Sequence, residues 1–236
     1  MERNGYGQPI GPAIENWTAR TLPTRTPLIG RTCRIEPVDV ERHSKDLFAA
    51  YNAAPDDRDW TYLPSELPTN TAAFAAYLAG MAASSDPLHY TIIDSDIGKA
   101  VGTASHMRID PENGAIEIGF IRWSPLMQRR VTGTEAIYLL MRRVFDEMGY
   151  RRYEWKCDSL NKRSRTAAIR YGFKFEGIFR NAAVIKNRSR DTAWFSITDD
   201  EWPRVKAAFE KWLLPSNFDD KGKQRSTLAD LRAKAS

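Results

Sequence analysis

The chain has 236 residues, 35 Lys and Arg against 30 Asp and Glu, and 42% hydrophobic residues. That describes an ordinary globular protein with room for one sizeable core. Two cysteines, Cys33 and Cys157, cannot make a disulfide framework and form no C-x-x-C pair for zinc, so a reducing, cytoplasmic setting is expected. No apolar run approaches the roughly 20 residues of a membrane span, and the N-terminus lacks the apolar block of a secretion signal. The net charge of +5 and pI near 9.2 suit a polyanionic small ligand. Nucleic acid is disfavoured, because the basic residues are scattered and no binding motif accompanies them.

In chain order, residues 1–27 carry Gly, Pro and polar residues without apolar periodicity and read as a flexible arm, partly wrapped on a domain spanning 28–215. Cys33 to Pro37 alternates as a strand, and Asp39 caps a helix through Leu47, Phe48 and Tyr51. An aromatic loop around Trp60 and Tyr62 follows, then a helix from Asn70 to Ala83. His89–Ile93 and Val101–Ile109 read as strands. The hairpin turn Asp110–Gly114 leads into Ala115–Trp123, which alternates with Ile116, Ile118 and Phe120 on one face and Glu117, Gly119 and Ile121 on the other.

Next comes the loop Ser124–Arg130, with two arginines, before a helix whose stripe is Ile137, Leu140, Met141, Val144 and Met148. Thr132-x-x-Glu135 has the form of a capping box at that helix start. A cationic loop at a helix N-terminus aims unpaired amides and the positive dipole end at one place, which suits a phosphate or pyrophosphate. Tyr153–Cys157 is a further strand, and Lys162–Tyr171 a helix closed by Gly172. Phe173–Ile178 and Asp191–Ile197 are strands around a turn at Lys186–Arg190. Glu201–Leu213 is an amphipathic helix, and 216–236 reads as a disordered polar tail. Hairpins mixed with two crossover helices imply a single α+β domain.

Three pieces of the pattern resemble the GNAT superfamily of acetyl-CoA-dependent N-acetyltransferases, particularly the branch of ribosomal-protein N-terminal (Rim-type) acetyltransferases. Gln128-Arg129-Arg130-Val131-Thr132-Gly133 is similar to the family's pyrophosphate loop, Q/R-x-x-G-x-G/A. Asn161-x-x-Ser164 with Gly172-Phe173-x-x-Glu176-Gly177 is similar to its second motif, and Glu117-Ile118-Gly119-Phe120 to the Rim-type E-I-G-Y strand. Asp200-Glu201-Trp202-Pro203 resembles the branch's ending. Two positions depart from the pattern: Val131 stands where the first loop glycine is expected, and Ala168 where many relatives carry a general-acid tyrosine.

The resemblance implies a central mixed, mostly antiparallel sheet, flanked by helices and splayed at the cofactor site. It implies acetyl-CoA as co-substrate, no metal, and a primary-amine acceptor, either a small molecule or a peptide N-terminus. The backbone of Ile121, Arg122 and Trp123 would pair with the pantetheine arm. Gln128, Arg129, Arg130, Val131, Thr132, Gly133 and Thr134 would hold the phosphates, and Asn161 and Ser164 would face the thioester.

Acetyl transfer to an amine needs a base for the ammonium, polarisation of the carbonyl and a donor to the leaving sulfur. Glu117 is the base candidate, and its other reading is a solvated or salt-bridged strand glutamate. His106 is a second candidate, or else a hydrogen-bonded structural histidine. Ser164 donates to the sulfur or bonds local backbone, and Asn161 caps its helix. Trp60 and Tyr62 clamp an acceptor or belong to the core. The competing function is an acyl-CoA-binding regulatory protein without turnover. A monomer and a homodimer fit the sequence equally.

Overall fold

The structure, a computed structural model, describes residues 2–235. A short exposed hairpin, β1 (Glu2–Arg3) and β2 (Pro9–Ile10), precedes the main sheet. The eight other strands are β3 (Leu28–Ile29), β4 (Cys33–Pro37), β5 (Leu88–Asp94), β6 (Ala100–Asp110), β7 (Ala115–Trp123), β8 (Arg152–Asp158), β9 (Lys174–Ile185) and β10 (Arg188–Thr198). They form one sheet in the order β3-β4-β5-β6-β7-β8-β10-β9. Every pairing is antiparallel except β7 with β8. A parallel pair needs a crossover, which α3 (Val131–Arg142) supplies.

Helices cover both faces. The larger core joins α3 and α5 (Trp202–Leu213) to the sheet through Ile35, Tyr90, Ile118, Leu140, Phe195 and Phe209. The smaller lies under α1 (Val40–Asn52) and α2 (Thr71–Ala83), around Leu47, Tyr51, Trp60, Phe74 and Leu78. Asp39 and Asn70 accept hydrogen bonds from the amides of Arg42 and Ala73, each capping its helix as the sequence suggests. α3 runs on into a π-helical turn at Arg143–Glu147, where the buried Arg143 donates to the carbonyls of Thr26 and Pro27. Gly149 follows with φ +66°, the left-handed cap expected there.

Four local readings change. The segment read as an arm is tied down from Trp17 onward: Trp17 donates to Glu112 O, Arg25 to Ala82 O and Ser84 O, and Tyr150 to Thr21 O. The tail is folded, not disordered. Leu228 is buried, α6 (Leu228–Lys234) has a full Thr227–Asp230 capping box, and Arg232 donates to the last carbonyls of α4 (Lys162–Tyr171). The β9–β10 hairpin is longer than its periodicity suggests, closing on Lys186 and Asn187, whose φ of 50° and 58° fit a two-residue type I′ turn. The fourth change concerns the start of α3, where the site lies.

Candidate functional site

β7 and β8 pair from Ala115↔Arg152 to Ile118↔Trp155 and no further, although the strands run on to Trp123 and Asp158. Beyond Ile118 the strands part. β7 keeps its partner on the other side, with Gly119↔Ser105 and Arg122↔Thr103, and β8 keeps β10. The edge of β7 from Gly119 to Trp123, Ile121 included, therefore has no strand partner across the slot, while the carbonyls of Gly119, Arg122 and Trp123 accept from the side chains of Ser105, Tyr51 and Gln128. Within it Phe120 takes φ +46° at a register shift between Ser105 and Thr103. This bulge inserts one residue and reverses the alternation. Arg122 thereby joins the face of Glu117, Thr103 and Ser105, where even alternation would set it with Ile116 and Ile118.

The slot leads to the loop Ser124–Arg130. Its residues Gln128, Arg129 and Arg130 are exposed, Val131 is half-buried, and Thr132, Gly133 and Thr134 are buried. Arg129 sits at φ +61°. The predicted capping box is absent. The cap position is Arg130, with no side-chain bond to the helix. Thr132 donates to Asp94 Oδ2 at 3.1 Å, and Glu135 accepts from the amides of Arg31 at 2.9 Å and Thr32 at 2.5 Å and from the Thr32 hydroxyl. Long-range partners outbid the local ones. Thr134 is taken as well, accepting from Arg170 Nη1 at 3.1 Å. This helix start has no side-chain cap, and the exposed Arg129 and Arg130 lie beside it, an arrangement that suits an anion.

Gly133 is helical, and a Cβ there would meet nothing closer than 3.4 Å, at Trp123 Nε1. Gln128 is already engaged: its Nε2 donates to Trp123 O at 2.9 Å and to Asp59 Oδ2 at 2.8 Å. Asp59 also holds Arg163 of α4 at 3.0 Å. Its loop thus straps across from the α1/α2 side, with Tyr62 donating to Leu160 O at 3.3 Å.

On the α4 side, Asn161 Oδ1 accepts from Ser164 N at 3.1 Å and caps the helix. Trp155 Nε1 donates to Ser164 Oγ at 2.9 Å. Indole nitrogen can only donate, so this bond leaves the serine hydrogen free to point elsewhere. Tyr171 is buried, with its phenol beside Trp123, Thr134 and Arg170 near the start of α3, and burial raises its pKa.

Glu117 is 3% exposed, one step before the strands part. Its Oε2 takes both Arg108 Nη1 at 2.7 Å and Lys156 Nζ at 3.0 Å, while Oε1 has no hydrogen bond among the described residues. Burial raises its pKa, and Lys156 and Arg108 pull back against that rise. Lys156 also pairs with Glu154 at 2.7 Å and lies 3.7 Å from the Trp194 ring centroid. His106 is on the opposite face, with Nε2 3.0 Å from the Tyr153 hydroxyl and burial pushing its pKa down to about 3. It is a structural histidine and leaves the list of bases. Among the described residues no group of three or more His, Cys, Asp or Glu could hold a metal ion.

A family model described as "Acetyltransferase (GNAT) domain" matches residues 34–174. A GCN5-related N-acetyltransferase from Brucella melitensis is 48% identical over 93% of this chain and 100% of its own, with a TM-score of 0.92. The chain belongs to the GNAT acetyltransferase family. A GNAT-family protein of Chromobacterium violaceum, titled a probable acetyltransferase, is 38% identical, covering 83% of this chain and 98% of its own at TM-score 0.76. A ribosomal-protein-S5-alanine acetyltransferase from Vibrio fischeri shares the fold at 15% identity, covering 75% of this chain and 98% of its own at TM-score 0.59. No curated protein matches the sequence.

Within this GNAT frame, sequence reasoning missed three things: Lys156 against Glu117, the Asp59 strap, and the redirected Arg122. The first had a signal in the sequence, since a lysine two residues past the in-register Glu154 lies on the same face as Glu117. The others depend on a bulge and on a loop, which have no period.

Proposed function

We propose that the protein transfers an acetyl group from acetyl-CoA to a primary amine, a small molecule or a peptide N-terminus, by direct attack on the thioester. The observation that carries this reading is the parting of β7 and β8 beside an α3 start with no side-chain cap. The residues present suit the co-substrate: an open strand edge for an amide-bearing arm, and amides with two arginines for a pyrophosphate. When bound, acetyl-CoA supplies the activated acyl group.

Arg129, Arg130 and the amides from Val131 to Thr134 bind the phosphates, with Gln128 released from Asp59 to join them. Ile121, Arg122 and Trp123 contribute backbone. The free oxygen of Glu117 takes the proton of the acceptor ammonium, directly or through water. Its raised pKa suits a base, and Lys156 and Arg108 act against that rise. Amides on the parted edge of β7 polarise the carbonyl. Ser164 turns its free hydroxyl hydrogen to the leaving sulfur, and Asn161 fixes that turn of helix.

A second reading, an acyl-CoA-binding protein without turnover, draws on Ala168 and on the two cations held by Glu117. One experiment separates the two: melting temperature with acetyl-CoA, followed by thiol release across a panel of amines and short peptides. A thermal shift with thiol release is expected. A shift without release on the whole panel selects the second reading, and no shift at millimolar acetyl-CoA rejects both.

A further inference from the structure

Arg122 presents a problem that acetyl-CoA does not solve. The residue is 5% exposed, and Nε, Nη1 and Nη2 are all buried without a hydrogen-bond partner among the described residues. No carboxylate among them lies within ion-pair distance of it. Its guanidinium stacks on Trp60 at 4.6 Å and Tyr77 at 5.1 Å, with Phe120 at 5.9 Å. Rings satisfy the flat faces of a guanidinium. They do nothing for the N–H groups in its plane, which match the fork of a carboxylate or phosphate. Two further buried atoms on the same sheet face lack partners, Thr91 Oγ1 and His89 Nδ1. Thr91, Thr103 and Arg122 face one another across three strands, and the His89 ring packs on Phe120 at 5.2 Å.

We propose that Arg122 receives an oxyanion carried by the acceptor, so that this protein acetylates amines that also bear a carboxylate or a phosphate. The proposal rests on the slot being an acetyl-transfer site. Arg122 lies on its parted strand, and its side chain shares a face with Glu117. An acceptor lying along that face would present its ammonium to Glu117 and its anion to Arg122. The cover is Trp60, carried on the strap that Asp59 ties to Gln128 and Arg163 and Tyr62 ties to Leu160. The ring also packs in the smaller core against Tyr51 and Tyr77, so seating an anion on Arg122 requires Trp60 to leave those contacts as the exposed polar ties let go.

The test is thiol release from acetyl-CoA with matched pairs: alanine and dialanine against their C-terminal amides, and O-phosphoethanolamine against ethanolamine. The anionic members are expected to have kcat/KM at least about tenfold higher, and which pairs respond tells carboxylate from phosphate. Arg122→Gln should bring the ratio near one while the acetyl-CoA melting shift persists. Should that variant not fold, Arg122→Lys keeps the charge without the fork and should cut the ratio severalfold. Turnover of amines without any anion preference, or a preference that survives Arg122→Gln, overturns the proposal and leaves acetyl transfer standing. If no amine turns over, the melting shift given by the same anionic probes decides: present in wild type and absent in Arg122→Gln it supports the site, absent in both it ends it.

Discussion

The two faces of the sheet are finished to different degrees. Against α3 and α5, polar groups are paired: His106 lies between Tyr90 and Tyr153, and the Glu135 carboxylate gathers Arg31 and Thr32. Under α1 and α2, the neighbours His89, Thr91 and Arg122 keep buried polar atoms without partners. Buried polar groups are ordinarily paired because leaving one bare costs roughly 1–3 kcal/mol, more for a charge. A chain that satisfies one face and not the other has stabilised the first for folding and kept the second for a ligand.

The satisfied face should fail hardest. Glu135→Ala strands two backbone amides and a hydroxyl around Gly30, where a Cβ would already lie 2.8 Å from Glu135 Cδ. We expect a loss of about 3–5 kcal/mol in urea unfolding. A loss under 1 kcal/mol would mean that the loop finds other partners. At the slot, Glu117→Gln should lower kcat about a hundredfold, about 2.7 kcal/mol in the barrier, with acetyl-CoA affinity kept within about twofold. Unchanged turnover retires Glu117 as the base. Replacing Arg129 and Arg130 by Ala should do the reverse, raising the acetyl-CoA Kd about tenfold, or about 1.4 kcal/mol, with kcat at saturation preserved. Titration calorimetry on the double variant checks it, and an unaltered Kd would move the phosphate grip to the amides alone.

Legibility in the sequence follows the same division. Elements that bury a periodic stripe, such as α3 with Ile137, Leu140, Met141 and Val144, carry their pattern openly, and motif spacing pointed to the slot. The capping box misled because Thr132 and Glu135 have partners about 38 and 104 positions away, which no local rule sees. The tail misled because α6 is short and polar, and is held by Leu228 and by the Trp212–Gln224 bond at 2.7 Å. Arg122 was hidden by one bulge residue, Phe120, which changes the face of everything after it. Features set by a period were readable; features set by a single insertion or a distant partner were not.

The smallest predicted effect separates the faces most cleanly. Burial lowers both His89, to about 4, and His106, to about 3. A depressed folded-state pKa means that the unfolded chain takes up the proton first. Each histidine therefore contributes stability that is complete above about pH 6.5 and is lost as pH falls toward its folded value, at up to about 1.4 kcal/mol per pH unit. The second cause differs between them: Arg122 for His89, and Arg143 for His106. Arg143 is bonded to Thr26 and Pro27, so nothing that binds the opposite face should change it. In Arg122→Gln, the His89 imidazole should titrate at a higher pH in NMR while His106 stays near its value. An oxyanion seated on Arg122 should move His89 the same way. If both histidines shift together, the faces are coupled through the sheet and the division drawn between them fails; if neither shifts, the guanidinium lies too far from His89 to be felt.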